Sequence, residues 1–220
     1  MKDVVIIPAY NEEKTISAVI IAAKKQVPEV IVVDDGSHDA TGPVAQRCGA
    51  RVVRHRVNMG KGSALKTGCD LATTLGAQRL VVIDADGQHD ARHIPQFLRS
   101  LDEGYAVVFG CRTIPEAMPF VLRFGNRLIS NLFMTLYQVR VEDTQCGYRA
   151  FTADAYKNIR WEARDYFVET EMLINAGRKK LKHRTIPIKT IYADKYKGTT
   201  VFDGVLIVLK MITARLLHVK

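Results

Sequence analysis

The chain is 220 residues long, with a hydrophobic fraction of 47% and a charged fraction of 25%. These values are typical of soluble globular proteins, and they exclude a disordered chain, a collagen-like repeat and a protein with several membrane spans. Lysine and arginine number 32 against 23 aspartates and glutamates, which leaves a formal charge of +9. This charge favours anionic partners, namely nucleic acid, phosphorylated small molecules or an anionic membrane surface.

The four cysteines are far apart in the sequence, with neither a C-x-x-C pair nor a histidine at zinc-ligand spacing. We therefore expect reduced thiols in a cytoplasmic protein. The apolar run at residues 4–7 is too short for a signal peptide, and no uncharged apolar stretch reaches the roughly 18–20 residues of a membrane span. The expected location is the cytoplasm, either free or peripheral on the cytoplasmic face of the membrane.

Short apolar runs alternate with helical patterns through the first half of the chain. Continuous apolar runs predict strands that are buried on both faces of a parallel sheet, at residues 4–7, 30–33, 80–83 and 106–109. An alternating run predicts an edge or half-buried strand at residues 51–54. Apolar residues at helical spacing predict helices at residues 12–26, 62–75 and 94–101. This alternation of strands and helices predicts an α/β fold with right-handed crossovers.

The second half of the chain has longer helical patterns and fewer strands. Helices are predicted at residues 120–137, 166–176 and 204–217, with a polar connection at 143–149 and a strand at 185–192. The last helix is apolar and also carries Lys210 and Arg215, so two interpretations stay open: it lies on a bilayer, or it packs into the core. Since the chain has neither a linker nor an internal repeat, we expect one domain.

Two aspartates follow the predicted strand at 80–83, at the carboxyl edge where sheets of this kind bind ligands. Asp84 and Asp86 are alternate residues, and such a D-x-D pair can place two oxygen ligands near one Mg²⁺ or Mn²⁺ ion. Because these ions are usually held by one or two carboxylates together with substrate phosphates, the pair suggests a nucleotide diphosphate. Gln88 adds a neutral oxygen ligand. The alternative is an acidic loop that is solvated or caps the next helix.

Three further polar segments are predicted at the same edge of the sheet. Asp34 and Asp35 end a strand, and one of them is expected to accept hydrogen bonds from the base or ribose of a nucleotide. Lys61 lies in a Gly-Lys-Gly segment that opens a helix, where backbone N–H groups and the ammonium are expected to face a phosphate. The rest of a P-loop is absent, which argues against an ATPase. Arg112 is a candidate to bind a diphosphate.

Five segments occur in a fixed order along the chain: P-A-Y-N-E at 8–12, V-V-D-D-G-S at 32–37, N-M-G-K-G at 58–62, D-A-D-G-Q-H at 84–89 and G-C-R at 110–112. Together they closely resemble the inverting GT-A glycosyltransferases of the large family that includes dolichyl-phosphate mannosyl- and glucosyltransferases. The resemblance runs from residue 4 to about residue 188. It implies one glycosyltransferase domain over 1–220, with a mostly parallel central sheet flanked by helices. A nucleotide-sugar-binding half at 1–112 would be followed by an acceptor half at 113–200 and an apolar, basic helix at 201–220.

The resemblance also implies roles for individual residues. It implies nucleotide contacts for Pro8, Tyr10, Glu12 and Asp35, a metal site with Asp84, Asp86 and Gln88, and a diphosphate contact for Arg112. Arg123 and Ser130 match positions near the acceptor phosphate. The segment 143–149 resembles D-x-T-S-G-F-R, with Cys146 in place of the serine, so the predicted catalytic residues are Asp86, Asp143 and Arg149.

One segment departs from the family pattern. Where the mannosyltransferases carry R-x-x-G-x-S-K, this chain has Y-A-D-K-Y-K-G-T-T at 192–200. Lys195 or Lys197 can replace the arginine as a charge near the acceptor phosphate, although without its bidentate geometry. A UDP-linked donor therefore fits as well as a GDP-linked one.

Two classes of acceptor fit the sequence. A sugar hydroxyl would need a general base, and Asp143 is the candidate. A polyprenyl phosphate is already anionic and would need cationic residues instead, which Arg123, Arg127 and Arg149 supply. We expect the second class, a dolichyl or undecaprenyl phosphate at a membrane surface, with Mg²⁺ or Mn²⁺ as cofactor.

Two other functions fit the sequence less well. Nucleic acid is not an expected partner, because aromatic residues are only 8% of the chain and no recognised binding motif is present. A sugar nucleotidyltransferase would open with a glycine-rich loop after its first strand, where this chain has P-A-Y-N-E.

Overall fold

A computed structural model describes residues 1–112, 134–135, 143–189 and 191 of the chain. In these ranges the strands are β1 (Asp3–Ala9), β2 (Val30–Asp34), β3 (Arg51–Arg54), β4 (Arg79–Val82), β5 (Val107–Arg112), β6 (Arg149–Thr152) and β7 (His183–Ile188). The helices are α1 (Ile16–Lys24), α2 (Thr41–Arg47), α3 (Lys61–Thr74), α4 (Ile94–Asp102), α5 (Ala153–Ile159) and α6 (Val168–Arg178). A short 3₁₀ turn at Ala91–His93 precedes α4.

The strands form one seven-stranded sheet in the order β3-β2-β1-β4-β6-β5-β7. β6 runs antiparallel to both of its neighbours, and the other pairs are parallel. The carboxyl ends of β1, β2, β4 and β5 therefore meet at one edge of the sheet. This arrangement confirms the predicted α/β fold with a mostly parallel central sheet.

Helices cover both faces of the sheet, because successive strand residues point to opposite sides. On β1, Val4 and Ile6 belong to the core under α3, α5 and α6, and Val5 and Ile7 belong to the core under α1 and α4. All four side chains are fully buried. This burial on both faces explains why the strands are continuous apolar runs in the sequence.

The predicted strands of the first half are confirmed, with boundaries that differ by up to three residues. The first helix begins at Ile16 rather than at Glu12, because the backbone N–H groups of Thr15 and Ile16 both donate to the Glu12 carbonyl in a turn. Strand β6 and helix α5 have no counterpart among the predictions. The predicted helices at 120–137 and 204–217 lie outside the described residues, apart from positions 134–135.

No helix in the described part of the chain is both long enough and apolar enough to cross a membrane.

Candidate active site

A pocket of about 310 Å³ opens at the carboxyl edge of the sheet. It is lined by Pro8, Ala9, Tyr10, Glu12, Asp35, Asn58, Gly60, Lys61, Ala64, Asp84, Ala85, Asp86, Asp165 and Tyr166. The structure thus brings together five of the six residues predicted to contact the nucleotide or its phosphates, and with them both aspartates of the D-x-D pair. Arg112 is the predicted donor residue that does not line this pocket.

A second pocket, of about 560 Å³, lies between α6 and the segment at residues 160–167. Two of its charged residues have partners within the fold: Glu171 accepts hydrogen bonds from the backbone N–H groups of Glu162 and Ala163, and Arg160 pairs with Asp70. The carboxylates at the strand ends line the smaller pocket, and we assign the candidate active site there.

The wall formed by residues 8–12 is fixed by hydrogen bonds to the loop after β2. Asn11 adopts a left-handed backbone conformation with φ of 55°, and its N–H donates to Ser37 Oγ at 3.0 Å. The His38 N–H donates in return to Asn11 Oδ1 at 2.8 Å. The Glu12 N–H donates to Thr41 Oγ1 at 2.8 Å. These bonds hold Tyr10 and Glu12 at the rim of the pocket.

The two aspartates that end β2 have different roles. Asp34 is fully buried, where its carboxylate accepts from the Ser37 N–H at 2.9 Å and lies 3.4 Å from Arg54 Nε. Asp35 lines the pocket, and of the two alternatives it is therefore the one placed to meet a ligand. Its carboxylate also accepts hydrogen bonds from His55 Nδ1 and from the backbone N–H groups of residues 59 and 60, at 2.6–2.9 Å. Asp35 thereby fixes the loop that leads into α3.

The Gly-Lys-Gly segment differs from the predicted phosphate cradle. The Gly60 N–H donates to Asp35 at 2.8 Å, and the Gly62 N–H donates to the Arg164 carbonyl at 2.8 Å. A Cβ on Gly60 would overlap the Arg164 carbonyl oxygen, and a Cβ on Gly62 would overlap that of Ala163. The glycines are therefore needed for the close approach of another part of the chain.

This approaching segment, residues 161–166, completes the pocket. The Trp161 indole N–H donates to the Gly62 carbonyl at 2.8 Å and anchors the segment on the first turn of α3. Asp165 and Tyr166 then reach the pocket, where the exposed Tyr166 ring lies 5.7 Å from Lys61 Nζ. Neither residue is among the predicted site residues, because their placement depends on a contact with glycines about a hundred positions earlier in the sequence.

Lys61 connects two carboxylates at the floor of the pocket. Its Nζ lies 2.6 Å from Asp84 Oδ1 and 2.8 Å from Glu169 Oε1. Burial alone would lower the pKa of the Lys61 ammonium, but its attraction to Asp84 and Glu169 outweighs burial and raises the pKa well above its usual value. Burial would likewise raise the pKa of Asp84, and the Lys61 charge lowers it instead, to about 2. Lys61 and Asp84 are therefore both charged at neutral pH.

The D-x-D turn is held by residues that follow it. The Asp84 N–H donates to His89 Nδ1 at 3.2 Å, and the Gln88 N–H donates to Asp86 Oδ1 at 3.0 Å. Burial lowers the pKa of His89, which agrees with Nδ1 acting as an acceptor. Gly147 packs directly against the Asp84 carboxylate, where a Cβ would overlap it.

The oxygen ligands of the D-x-D turn fit a hard divalent cation whose coordination shell would be completed by substrate phosphates. Within the described residues, no group of three or more His, Cys, Asp or Glu side chains is arranged to hold a metal. Mg²⁺ and Mn²⁺ sites that include substrate phosphates need only one or two protein carboxylates, which Asp84 and Asp86 supply. Gln88 does not line the pocket, so its role as a ligand stays a prediction.

Arg112 forms a bidentate ion pair with Asp143. Arg112 Nε donates to Asp143 Oδ2 at 2.7 Å, and a terminal guanidinium nitrogen donates to Oδ1 at 3.0 Å. Burial would raise the pKa of Asp143, but the hydrogen bonds and charge of Arg112 lower it below its usual value. A carboxylate of lowered pKa that is already paired with an arginine is a weak general base.

Arg149 is placed differently from the predicted catalytic residue. It is only 2% exposed, and its guanidinium donates to the backbone carbonyls of Thr144, Cys146 and Glu169 at 2.6–3.3 Å. Its guanidinium carbon also lies 5.2 Å from the centre of the Phe109 ring. Through these contacts Arg149 joins the 143–149 segment to α6. They engage the guanidinium that the sequence predicts to contact the substrate.

The predicted acceptor residues Arg123, Ser130 and Lys195, together with Arg127, lie outside the described residues.

Comparison with known proteins identifies the family of the chain. Residues 4–159 match the family described as Glycosyl transferase family 2. The UDP-N-acetylglucosamine–dolichyl-phosphate N-acetylglucosaminyltransferase of Methanococcus voltae is 32% identical over 238 residues, covering 96% of this chain and 95% of that protein. Glycosyltransferase AglJ of Haloferax volcanii is 31% identical over 216 residues, covering 94% of this chain and 70% of that protein.

Solved structures show the same fold. Glucosyl-3-phosphoglycerate synthase from Mycobacterium tuberculosis, in complex with Mg²⁺ and UDP, matches with a TM-score of 0.78 at 22% identity, over 96% of this chain and 78% of that one. The family match and the related sequences confirm the resemblance drawn from the five ordered segments. The chain belongs to glycosyl transferase family 2 and is a glycosyltransferase.

Proposed function

We propose that the protein transfers a hexose, with inversion, from a UDP- or GDP-linked sugar to a polyprenyl phosphate such as dolichyl or undecaprenyl phosphate. The observation that carries the proposal is the convergence of the D-x-D carboxylates, Lys61 and the 8–12 segment on one pocket at the edge of the sheet. The pocket combines two aspartates for a metal–diphosphate with aromatic side chains that a base or sugar can contact.

In this proposal the donor diphosphate binds over Asp84, Asp86 and Lys61. The two aspartates would hold Mg²⁺ or Mn²⁺, which supplies charge stabilisation for the leaving nucleoside diphosphate. The Lys61 ammonium adds a fixed positive charge beside the same phosphates. Tyr10 and Tyr166 flank the pocket and provide aromatic surface for the base or the sugar.

The state of Asp143 favours a phosphate over a hydroxyl as the acceptor. A hydroxyl acceptor would need a base of raised pKa, and the pKa of Asp143 is lowered by Arg112. A phosphate acceptor is already anionic and needs no base. The Methanococcus voltae relative, whose name includes dolichyl phosphate, supports the same class of acceptor. The reaction would then take place at a membrane surface, to which a chain of charge +9 is attracted.

Thermal unfolding with nucleotides tests the donor site. UDP, GDP and their sugars are compared with and without Mn²⁺, and CDP and dTDP serve as controls. A ligand at a hundredfold its dissociation constant adds about 2.7 kcal/mol, which predicts a Tm rise of roughly 5–10 °C. We expect a Mn²⁺-dependent rise with UDP or GDP. No rise with any nucleotide would contradict the proposed donor site.

Transfer assays on Asp143→Asn test the acceptor. Removing a general base typically slows turnover by about 10²–10⁴-fold. We expect transfer to a short-chain polyprenyl phosphate to stay within a few-fold of wild type once it is normalised to the folded fraction. A hundredfold loss in a folded variant, together with transfer to a sugar hydroxyl by the wild-type enzyme, would favour the hydroxyl acceptor with Asp143 as base.

A further inference from the structure

Glu169 is a buried carboxylate beneath the candidate active site. It lies in the first turn of α6, is only 4% exposed and does not line the pocket. Apart from the Lys61 ammonium, neither of its carboxylate oxygens has a hydrogen-bond partner within the described residues. Burying a carboxylate with so few partners is costly, and the positive charges beside Glu169 are the ammonium of Lys61, in direct contact, and the guanidinium of Arg149.

The backbone around Glu169 is held rigidly. Its carbonyl accepts a hydrogen bond from Arg149 at 2.6 Å. The next residue, Thr170, accepts one from the Gln145 side chain at 2.7 Å. Both contacts fix the first turn of α6, and the backbone that carries the Glu169 carboxylate is therefore held in place relative to Lys61.

Lys61 is shared between a proposed metal ligand and Glu169. Asp84 is both the contact of Lys61 and a proposed metal ligand. When Asp84 ligates a cation, Lys61 shares or loses that contact, and Glu169 is its other buried counterion.

We propose that Glu169 is a positioning residue that acts through Lys61. It keeps the Lys61 ammonium paired and in place beside the donor phosphates. The Asp84 carboxylate would then be able to give up its contact with Lys61 and bind a divalent cation. The proposal rests on the proposed function, because it assumes a metal–diphosphate donor in this pocket.

The test is Glu169→Gln, which keeps the size of the side chain and removes its charge. Changes around metal ligands typically weaken metal binding about 10–100-fold, and we expect a rise of that size in the Kd for Mn²⁺ in the presence of UDP or GDP. Because Glu169 does not touch the donor, KM for the donor should rise more than kcat falls. Binding is measured by thermal shift and by the fluorescence of Trp161, the single tryptophan of the chain, which is bonded to Gly62 beside Lys61.

Glu162→Gln is the matched control. It makes the same change of charge on a side chain that is 90% exposed, and it should leave Mn²⁺ binding within twofold of wild type. The double variant Glu169→Gln with Lys61→Met tests the route of the effect. If Glu169 acts through Lys61, the double variant binds Mn²⁺ and nucleotide no more weakly than Lys61→Met alone, whereas independent roles would make the two losses multiply.

The outcomes separate this proposal from the proposed function. If the wild-type protein binds no Mn²⁺–nucleotide, the proposed function fails. If the wild-type protein binds and a folded Glu169→Gln variant binds equally well, or if the losses multiply in the double variant, the role of Glu169 is overturned. Should Glu169→Gln fail to fold, Glu169→Asp takes its place. Its shorter side chain is expected to weaken Mn²⁺ binding at least threefold, and an unchanged Kd would overturn the proposal.

Discussion

Gly62→Ala should detach the 161–166 segment from α3. Gly62 is the second helical residue of α3, and its N–H and carbonyl bond to Arg164 and Trp161, each at 2.8 Å. A Cβ at this position would overlap the carbonyl oxygen of Ala163, which is backbone and has no rotamer to move aside. The segment has to shift, and Asp165 and Tyr166 shift with it.

The expected change in the free energy of unfolding is the sum of opposing effects. Alanine in a helix is favoured over glycine by about 0.5–1 kcal/mol. Overpacking costs about 1–3 kcal/mol, and each of the two lost hydrogen bonds costs about 1 kcal/mol. The expected net destabilisation is about 3 kcal/mol, which lowers the Tm of a chain of this length by roughly 6–12 °C.

Thermal unfolding, Trp161 emission and nucleotide binding are measured together on this variant. We expect a lower Tm, a shifted emission maximum as the indole N–H loses the Gly62 carbonyl, and weaker binding of the donor. Thr74→Ala, an exposed change at the other end of α3, is the control and should alter stability by no more than about 0.5 kcal/mol. A Gly62→Ala protein that melts within 2 °C of wild type with unchanged emission would refute the reasoning.

Three other changes test the remaining contacts. Arg149→Lys leaves buried carbonyls unsatisfied and should lower the free energy of unfolding by about 2–4 kcal/mol, while turnover per folded molecule stays within a few-fold. A stable variant without activity would instead support the predicted catalytic role. Tyr166→Ala removes a ring that is 72% exposed, so the free energy of unfolding should change by less than about 0.5 kcal/mol. Since the ring lines the pocket, the KM for the donor should rise about two- to tenfold, and an unchanged KM would show that the ring does not contact the donor. Arg112→Gln should cost about 1.5–3 kcal/mol at pH 7 by urea unfolding. Because the Asp143 pKa is lowered in the folded state, the loss of stability in this variant should be complete above pH 3.8, the usual pKa, and should shrink as the pH falls through the lowered pKa. A loss of stability that does not depend on pH would contradict the pairing of Arg112 with Asp143.

Strands β1, β2, β4 and β5 could be predicted from sequence because each contains a continuous apolar run, as Val4–Ile7 in β1 illustrates. Strand β6 could not, because its sequence R-A-F-T has only two apolar residues and neither of them is β-branched. Arg149 is compatible with a buried strand only because three carbonyls surround its guanidinium, two from the preceding turn and one from α6. Its charge therefore indicated a catalytic residue when it was considered without those partners.

The site was predictable where its residues follow strands directly. Asp84 and Asp86 follow β4, and Asp35 follows β2, so the topology of the sheet was enough to bring them together. Glu169 could not be found in this way, since an acidic residue in the first turn of a helix is usually solvated and stabilised by the helix dipole. Only the position of α6 against α3 shows that Lys61 reaches it.

The ion pair between Arg112 and Asp143 has a consequence for how this fold can diversify. Arg112 ends β5 and Asp143 opens the segment that leads into β6, and the two side chains are joined at 2.7 Å. Within the described residues, the lining of the donor pocket comes from positions 8–86 and 165–166. Sequence changes between Arg112 and Asp143 would therefore leave that lining unchanged, which would allow acceptors to change during evolution while the donor pocket is kept.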